Sequence, residues 1–521
     1  MRRPLDLRLG IDVGGTNTDA VVLDRDGRLL AKAKVATSPD VTTGIVAALD
    51  QVLVATGESR GRISHVMFGT THATNAVLQR RKLRRVAVVR IGGPATYSIR
   101  PLFAWPPDLR ETVSVGEAIV DGGSEFDGRE IMPFDGEAVA GFLEPLAGTL
   151  DGVAITSVFA SVSAEHELRA AEVVRSTLGP EVEVSLSHEI GTVGLLEREN
   201  ATVLNAALTA VVHEVTDALE AALASRQLDA LVYFAQNDGT LMAQEQAIRF
   251  PVLTIGSGPA NSIRGAAYLT GMSDGIVIDI GGTSTDIGVL ANGFPRESSS
   301  PVEIGGIRTN FRMPDLISLA LGGGSVIRAD DGRVAVGPES VGFELERRAL
   351  VFGGETPTLT DAAVAGGRLD LGSRGNVAGG DGLLGPALEW VDATLADAID
   401  RVKLSRAEQP LIVVGGGSVL VPERLPGATE VHRPEHFDVA NAIGAAIAMV
   451  SGQIDRIFDP GRAGRQAMLD EARGQAREQA IRAGADPRTV EIVEVEELPL
   501  SYLNNPAVRV RAKAAGPLDS G

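Results

Sequence analysis

The chain has 521 residues, a formal net charge of −20 and no cysteine. Its length allows more than one hydrophobic core, and its acidity opposes a duplex nucleic-acid binder, which needs a basic face to displace counterions. Zero cysteines exclude disulfides, thiolate zinc sites, iron–sulfur clusters and a cysteine nucleophile. In chain order, LRLGIDV, TDAVVLD and LLAKAKVAT read as three short strands. A helix follows from Thr42 to Ala55, with Ile45, Val46, Leu49 and Val52 on one face. HVMFGT is a strand leading into a helix, THATNAVLQRR, which Thr71 or Thr74 would cap. RRVAVVRIGG is the next strand, and the proline-, glycine- and acid-rich stretch 94–145 reads as a β-rich insertion. GVAITSVFA and EVEVSLS are strands flanking the amphipathic helix AEHELRAAEVVRSTL, and an alanine-rich helix spans Glu199 to Leu228.

The second half repeats the layout. GIVIDI and TDIGVLA form a hairpin, LGGGSVIRAD and RVAVGPE a glycine-rich turn with a second one. A helix runs from Leu384 to Leu404, LIVVGGGSVL is a strand–turn–helix, and VANAIGAAIAMV is a small-residue helix. From Ile454 a tail holds one helix and the strands VEIVEVEELP and PAVRVRAKA. Strands alternating with helices predict mixed α/β sheets, and a repeated half predicts two related domains around a ligand cleft. The expected divisions are 1–93, the insertion 94–145, 146–270, 271–453 and the α+β tail 454–521. No apolar run reaches membrane length, and the first ten residues lack the apolar core and cleavage site of a signal peptide. A soluble, cytoplasmic protein is expected.

One phrase occurs twice: IDVGGTNTDAVVL (11–23) and IDIGGTSTDIGVL (278–290). Each is a strand, an aspartate, Gly-Gly-Thr and a returning strand. Glycine admits close backbone approach and positive φ, so successive N–H groups can face an anion. Gly14, Gly15, Thr16 and Asn17 would grip a polyphosphate from one side, and Gly281, Gly282, Thr283 and Ser284 from the other. Asp12 and Asp279 would then meet at a shared Mg²⁺, an ion that favours carboxylate, water and phosphate oxygens. Asp19 and Asp286 repeat as well and are expected to orient the hairpins through their amides. Neither GxxxxGK[ST] nor GxGxxG occurs, so Walker and Rossmann routes lack support.

The two hairpins followed by LIVVGGGSVL resemble the actin, Hsp70 and sugar-kinase superfamily. That resemblance implies an α/β fold of two duplicated ribonuclease-H-like domains around a nucleotide cleft. It places Gly415, Gly416, Gly417 and Ser418 against ATP's ribose and base, with the helix of Asn441 and Gly444 behind them. FGTTHATNAVLQRR (68–81), SLSHEIGTVGLLERENATVLNAAL (185–208), TIGSGPANSIRGAAYL (254–269) and PTLTDAAVAGGRL (357–369), together with the second hairpin, resemble the hydantoinase A/5-oxoprolinase family. Members use ATP to open a cyclic amide or imide, and a related branch carboxylates ketones. The resemblance implies phosphorylation of an amide carbonyl oxygen, followed by attack of water. Longer members extend past this C-terminus or work with a second subunit, and GGSEFDGREIMPFD (122–135) resembles the shorter branch. An ATP-binding subunit with a hydrolytic partner, in an oligomer, is the expectation.

Substrate-handling candidates are two polar clusters: Thr70, Thr71, His72 and Asn75 at a strand–helix junction, and Asn237, Asp238 and Gly239 after a strand. His188 and Glu189 end another. Each can donate to a carbonyl or position water; equally, Thr71 and Asn75 can cap a helix and Asn237-Asp238-Gly239 can form a turn. No HxH or HExxH occurs, and Pro434 separates His432 from His436, so both read as surface residues. Two rival readings are a small-molecule kinase of the sugar type and a non-catalytic actin-like ATPase switch. A third, the radical-enzyme activases, needs cluster-binding cysteines the chain lacks.

Overall fold

A computed structural model of the chain describes residues 6–37, 41–191, 193–298, 301–311, 313–330, 333–403, 405–458, 464–500 and 507–519. Leu404, the expected end of one helix, and the 501–506 lead into the last expected strand lie outside these. The strand Leu7–Val13 is buried on both faces because it sits inside a nine-stranded sheet covered on each side. Helix Val41–Thr56 packs Ile45, Leu49 and Val52 on one face. Helix Ala440–Ile447 lies against the other, so close that a Cβ on Gly10 would stand 2.2 Å from the Ala442 carbonyl oxygen.

From one edge the sheet runs Glu491–Pro499, Val508–Gly516, Val450–Phe458, Leu241–Ala243, Leu231–Ala235, Ile63–Thr70, Leu7–Val13, Asn17–Leu23 and Leu29–Ala36. The α+β tail expected from residue 454 therefore docks as strands onto the sheet that holds the first hairpin. A second sheet carries the second hairpin, with Gly275–Ile280 between Thr285–Ala291 and the parallel strand Gln409–Val414. The duplication extends to register: Asp12 pairs across the hairpin with Asp19, and Asp279 with Asp286.

The stretch 94–145 differs from the β-rich insertion expected of it. Besides the short bridge Ser124–Glu130 it holds one strand, Ser114–Asp121, and the helices Pro107–Val113 and Gly136–Leu143. Its strand joins Val86–Gly93, Gly152–Ser157 and Glu183–Leu186 in a four-stranded parallel sheet. Parallel strands need long crossovers, and the proline- and glycine-rich segments are those crossovers, not hairpin turns. Helix Leu195–Ser225 ties this unit to the first sheet, with Val203, Leu204 and Ala207 in one core and Val212, Val215 and Leu219 in the next. The fully buried Arg90–Glu199 pair, 2.6 Å apart, fixes the helix to the parallel sheet. Among the described residues no helix is long and apolar enough to cross a membrane.

Candidate functional site

Both phrases fold into tight hairpins. The Gly14 N–H donates to the Asn17 carbonyl at 3.0 Å, and the Gly281 N–H to the Ser284 carbonyl at 2.9 Å. None of the four tip glycines adopts the positive φ expected of them; at Gly282 the requirement is room. The two tips face each other, and a Cβ on Gly282 would stand 2.8 Å from Thr16 Cγ2. The second tip is backed by Gly322, Gly323 and Gly324, whose contribution the sequence reading did not assign. The Gly323 and Gly324 N–H groups donate to the carbonyls of Gly281 and Gly282 at 3.0 and 2.7 Å, and a Cβ on Gly322 would meet Gly282 at 2.6 Å.

A cleft of about 790 Å³ opens between the tips, and Asp12, Asp19, Asp279 and Asp286 all line it. Direct cross-strand pairing forces each two acids together, an arrangement that is unfavourable for like charges. Burial, then the neighbouring Asp19 charge, pushes the Asp12 carboxyl up to about 6, and burial pushes Asp286 up to about 6 as well. Burial likewise raises Asp19 and Asp279. The expected role of Asp19 and Asp286 is corrected: neither takes a hairpin amide. Asp19 accepts from Lys34 Nζ at 2.7 Å and Asp286 from Ser318 Oγ at 2.5 Å, because Lys34 and Ser318 are their partners on the next strands.

The residues that hold Asp12 and Asp279 came from a segment quoted without a role, SGPANS. Asn261 Nδ2 donates to Asp12 Oδ1 at 3.2 Å, and the next residue, Ser262, donates to Asp279 Oδ2 at 2.5 Å. One helix, Ser257–Thr270, thus touches one acid of each hairpin. Asn441 Nδ2 donates to Asp12 Oδ2 at 2.9 Å. Gly444 lies where this helix crosses its neighbour, a Cβ there falling 1.9 Å from the Asn261 carbonyl oxygen, and is not part of the cleft wall. Gly415, at φ +85, and Gly416 line the cleft, whereas Gly417 and Ser418 do not. The Gly417 N–H donates to the Ile280 carbonyl at 2.7 Å, so that part of the turn clamps the second hairpin from below.

The substrate candidates separate. Thr71 lines the cleft, and its hydroxyl donates to the Val13 carbonyl at 3.2 Å instead of capping its helix. Asn75 Nδ2 reaches Thr71 Oγ1 at 3.4 Å. His72 shares a 2.6 Å hydrogen bond with Thr70 Oγ1, and burial lowers its pKa, leaving a neutral ring. Asn237, Asp238, His188 and Glu189 line a different, larger cavity. Asn237 is spent on backbone, donating to Val252 O at 3.2 Å and accepting from Gly256 N–H at 2.7 Å. Asp238 accepts from Thr240 and pairs with Lys513 at 2.8 Å, both partners buried. The turn reading therefore describes Asp238 better than catalysis does. His432 and His436 are partly exposed, each beside a glutamate.

Among the described residues no three acidic or imidazole groups converge tightly enough to chelate a metal alone. The cleft nevertheless brings five carboxylates together against one lining ammonium, Lys34; Asp438 pairs with Lys32 behind it, and the four hairpin acids remain in excess. That charge balance fits a divalent cation whose remaining ligands are water and phosphate. The unpartnered, buried Asn261 Oδ1 is a further acceptor beside Asp12.

Residues 8–178 match the hydantoinase/oxoprolinase N-terminal region, and residues 198–377 match hydantoinase/oxoprolinase. Caprolactamase subunit alpha of Pseudomonas jessenii is 29% identical over 84% of this chain and 65% of its own length. The chain spans less than two thirds of the curated relatives it matches. The crystal structure of ATP-dependent caprolactamase from Pseudomonas jessenii superposes with a TM-score of 0.77 at 23% identity, covering 98% of this chain and 88% of that one. A nucleotide-free acetone carboxylase superposes with a TM-score of 0.71 at 19% identity, covering 99% and 88%. The fold is thus shared with ATP-dependent enzymes of this type, and the chain belongs to the hydantoinase/oxoprolinase family.

Proposed function

We propose that this chain binds Mg-ATP between its two hairpins and uses it to open a cyclic amide or imide by phosphorylating the carbonyl oxygen. It would act in the cytoplasm as the nucleotide-binding subunit of an assembly whose other chain completes hydrolysis. The observation that carries this reading is the convergence of two Gly-Gly-Thr tips and the four cross-strand acids of the hairpins on one cleft. Asp12 and Asp279 would hold Mg²⁺ through water, and the amides and hydroxyls of Gly14, Gly15, Thr16, Gly281, Gly282 and Thr283 would carry the β- and γ-phosphates. Phosphoryl transfer asks mainly for such positioning and charge neutralisation. Gly415 and Gly416 leave room for the nucleoside. One matched relative is a caprolactamase subunit, which supports both a lactam-like substrate and a partner chain.

The test is ADP release with Mg-ATP against hydantoins, 5-oxoproline, lactams, cyclic imides and hexoses, with and without any co-purifying protein. A ketone with bicarbonate belongs in the panel because one structural neighbour is a carboxylase. Stimulation by one cyclic amide, with ring-opened product, supports the proposal. A phosphorylated hexose makes the chain a kinase, and nucleotide binding with no response to any compound makes it a switch.

A further inference from the structure

The second cavity, about 2520 Å³, is walled by the parallel-sheet unit, the turn after Leu231–Ala235, and the docked strands and helix of residues 451–511. It shares a wall with the nucleotide cleft. Asn237, on the cavity side, accepts from the Gly256 N–H, while Gly258 and Pro259, next along the same chain, line the cleft. Its cations are largely neutralised in place: Arg511 pairs with Asp455 at 2.9 Å, and Arg482 pairs with Glu478. Seven Asn and Gln side chains line the space, beside the charged Glu245 and Arg456 and the apolar Phe250 and Phe311. Two lining atoms, Ser161 Oγ and Asn310 Oδ1, are buried without a hydrogen-bond partner, although Asn310 Nδ2 is fixed on the Val193 carbonyl at 3.3 Å. An unpaired buried polar atom costs about 1–3 kcal/mol, so a ligand that satisfies both would gain from them.

One imidazole in this wall is oriented in advance. His188 Nδ1 lies 2.6 Å from Glu167 Oε2, and Glu167 is fully buried, also accepting from the Ser157 and His188 N–H groups at 2.8 and 3.0 Å. A carboxylate so placed accepts a hydrogen bond from the Nδ1–H of the neutral ring, and this tautomer leaves Nε2 as an acceptor. Resting on the reading of the nucleotide cleft above, we infer that this chamber binds the neutral cyclic amide, with His188 Nε2 accepting its ring N–H. Drawing on the N–H pushes electron density to the carbonyl oxygen, the atom to be phosphorylated. Of the carboxamides in the wall, Asn237 is already spent on backbone, whereas Asn310 keeps its Oδ1 as an acceptor for a donor on such a ring.

The experiment compares 2-piperidone with its N-methyl derivative as activators of ADP release in the complete assembly. The parent protein should favour the N–H compound by about tenfold or more in kcat/KM, since a site built to bond an N–H rejects its absence. His188→Gln should bring that ratio close to one, and Asn310→Leu should raise KM for 2-piperidone about tenfold. Mg-ATP affinity, measured by calorimetry, reports on folding of each variant. A parental ratio in His188→Gln together with a parental KM in Asn310→Leu overturns the chamber while leaving the proposed function standing. No response of the parent to any cyclic amide overturns both.

Discussion

Replacing Asp12 with Asn should make the ligand-free protein more stable while removing its response to Mg-ATP. The Asp12 carboxyl is raised from 3.8 to about 6, chiefly by burial. At 1.36 kcal/mol per unit this is a cost of about 3 kcal/mol carried by the ionised form. Because the folded state holds this proton more tightly than the unfolded one, stability falls as pH rises from about 4 to about 6 and then levels off. Asn lacks the charge. It must, however, present an N–H₂ to one of the two donors, Asn261 and Asn441, that Asp12 now satisfies. Losing one such bond costs about 1 kcal/mol. The net effect is a gain of about 2 kcal/mol above pH 7, turning into a loss of about 1 kcal/mol below pH 4, where the carboxyl is neutral and only the lost bond remains. Calorimetric unfolding at pH 4, 5, 6 and 8, with and without Mg-ATP, reads both effects. Saturating Mg-ATP at 100 Kd should stabilise the parent by about 2.7 kcal/mol, and the variant should show little of this and no ATP turnover. A gain independent of pH, or an undiminished Mg-ATP shift in the variant, refutes the reasoning.

Asn261→Ala should weaken Mg²⁺-dependent nucleotide binding by about 10–100-fold, the usual consequence of removing a group that orients a ligand, as titration calorimetry with Mg-ATP would show. Gly282→Val should separate the tips, because its Cβ has only 2.8 Å to Thr16 Cγ2; the expected result is loss of ATP binding with an unchanged circular dichroism spectrum. Lys513→Met leaves the Asp238 carboxylate buried and uncompensated, so unfolding should become easier by about 3–5 kcal/mol at pH 7. Asp238 is held below its usual range, with Lys513 the largest favourable influence, so this penalty should fade as the pH drops through 4, and Lys513→Met/Asp238→Asn should recover much of it.

The nucleotide cleft was legible because its parts are local: a strand, a carboxylate and a Gly-Gly-Thr turn, written twice. What lay beyond reach depended on contacts between distant segments. Asn261 and Ser262 stand in a plain helical segment, and nothing local says that their side chains reach Asp12 and Asp279. Thr71 sits at the N-cap position a local reading assigns it, yet its hydroxyl is drawn to Val13, 58 residues away. Asn237 and Asp238 looked equally like catalysts or turn residues, and only Gly256 and Lys513, supplied from elsewhere, decide between them. The stretch 94–145 was misread because turn-forming composition marks breaks in the chain without revealing whether the next strand returns antiparallel or crosses over.

The docking of Val450–Phe458 and Val508–Gly516 onto the first sheet also bears on how the molecule is made. Gly516 pairs with Val450, which meets Leu241, and Lys513 neutralises Asp238. On the ribosome the hairpin of residues 7–23 and its neighbours emerge long before these partners do. The nascent sheet is left with an open edge at Leu241–Ala243 and an acid awaiting its counter-ion. Such late, long-range closure slows folding and exposes strand edges meanwhile. The expected signature is a slow refolding phase that disappears when the chain is cut before residue 450, and a nascent chain that engages chaperones until residue 513 has cleared the exit tunnel.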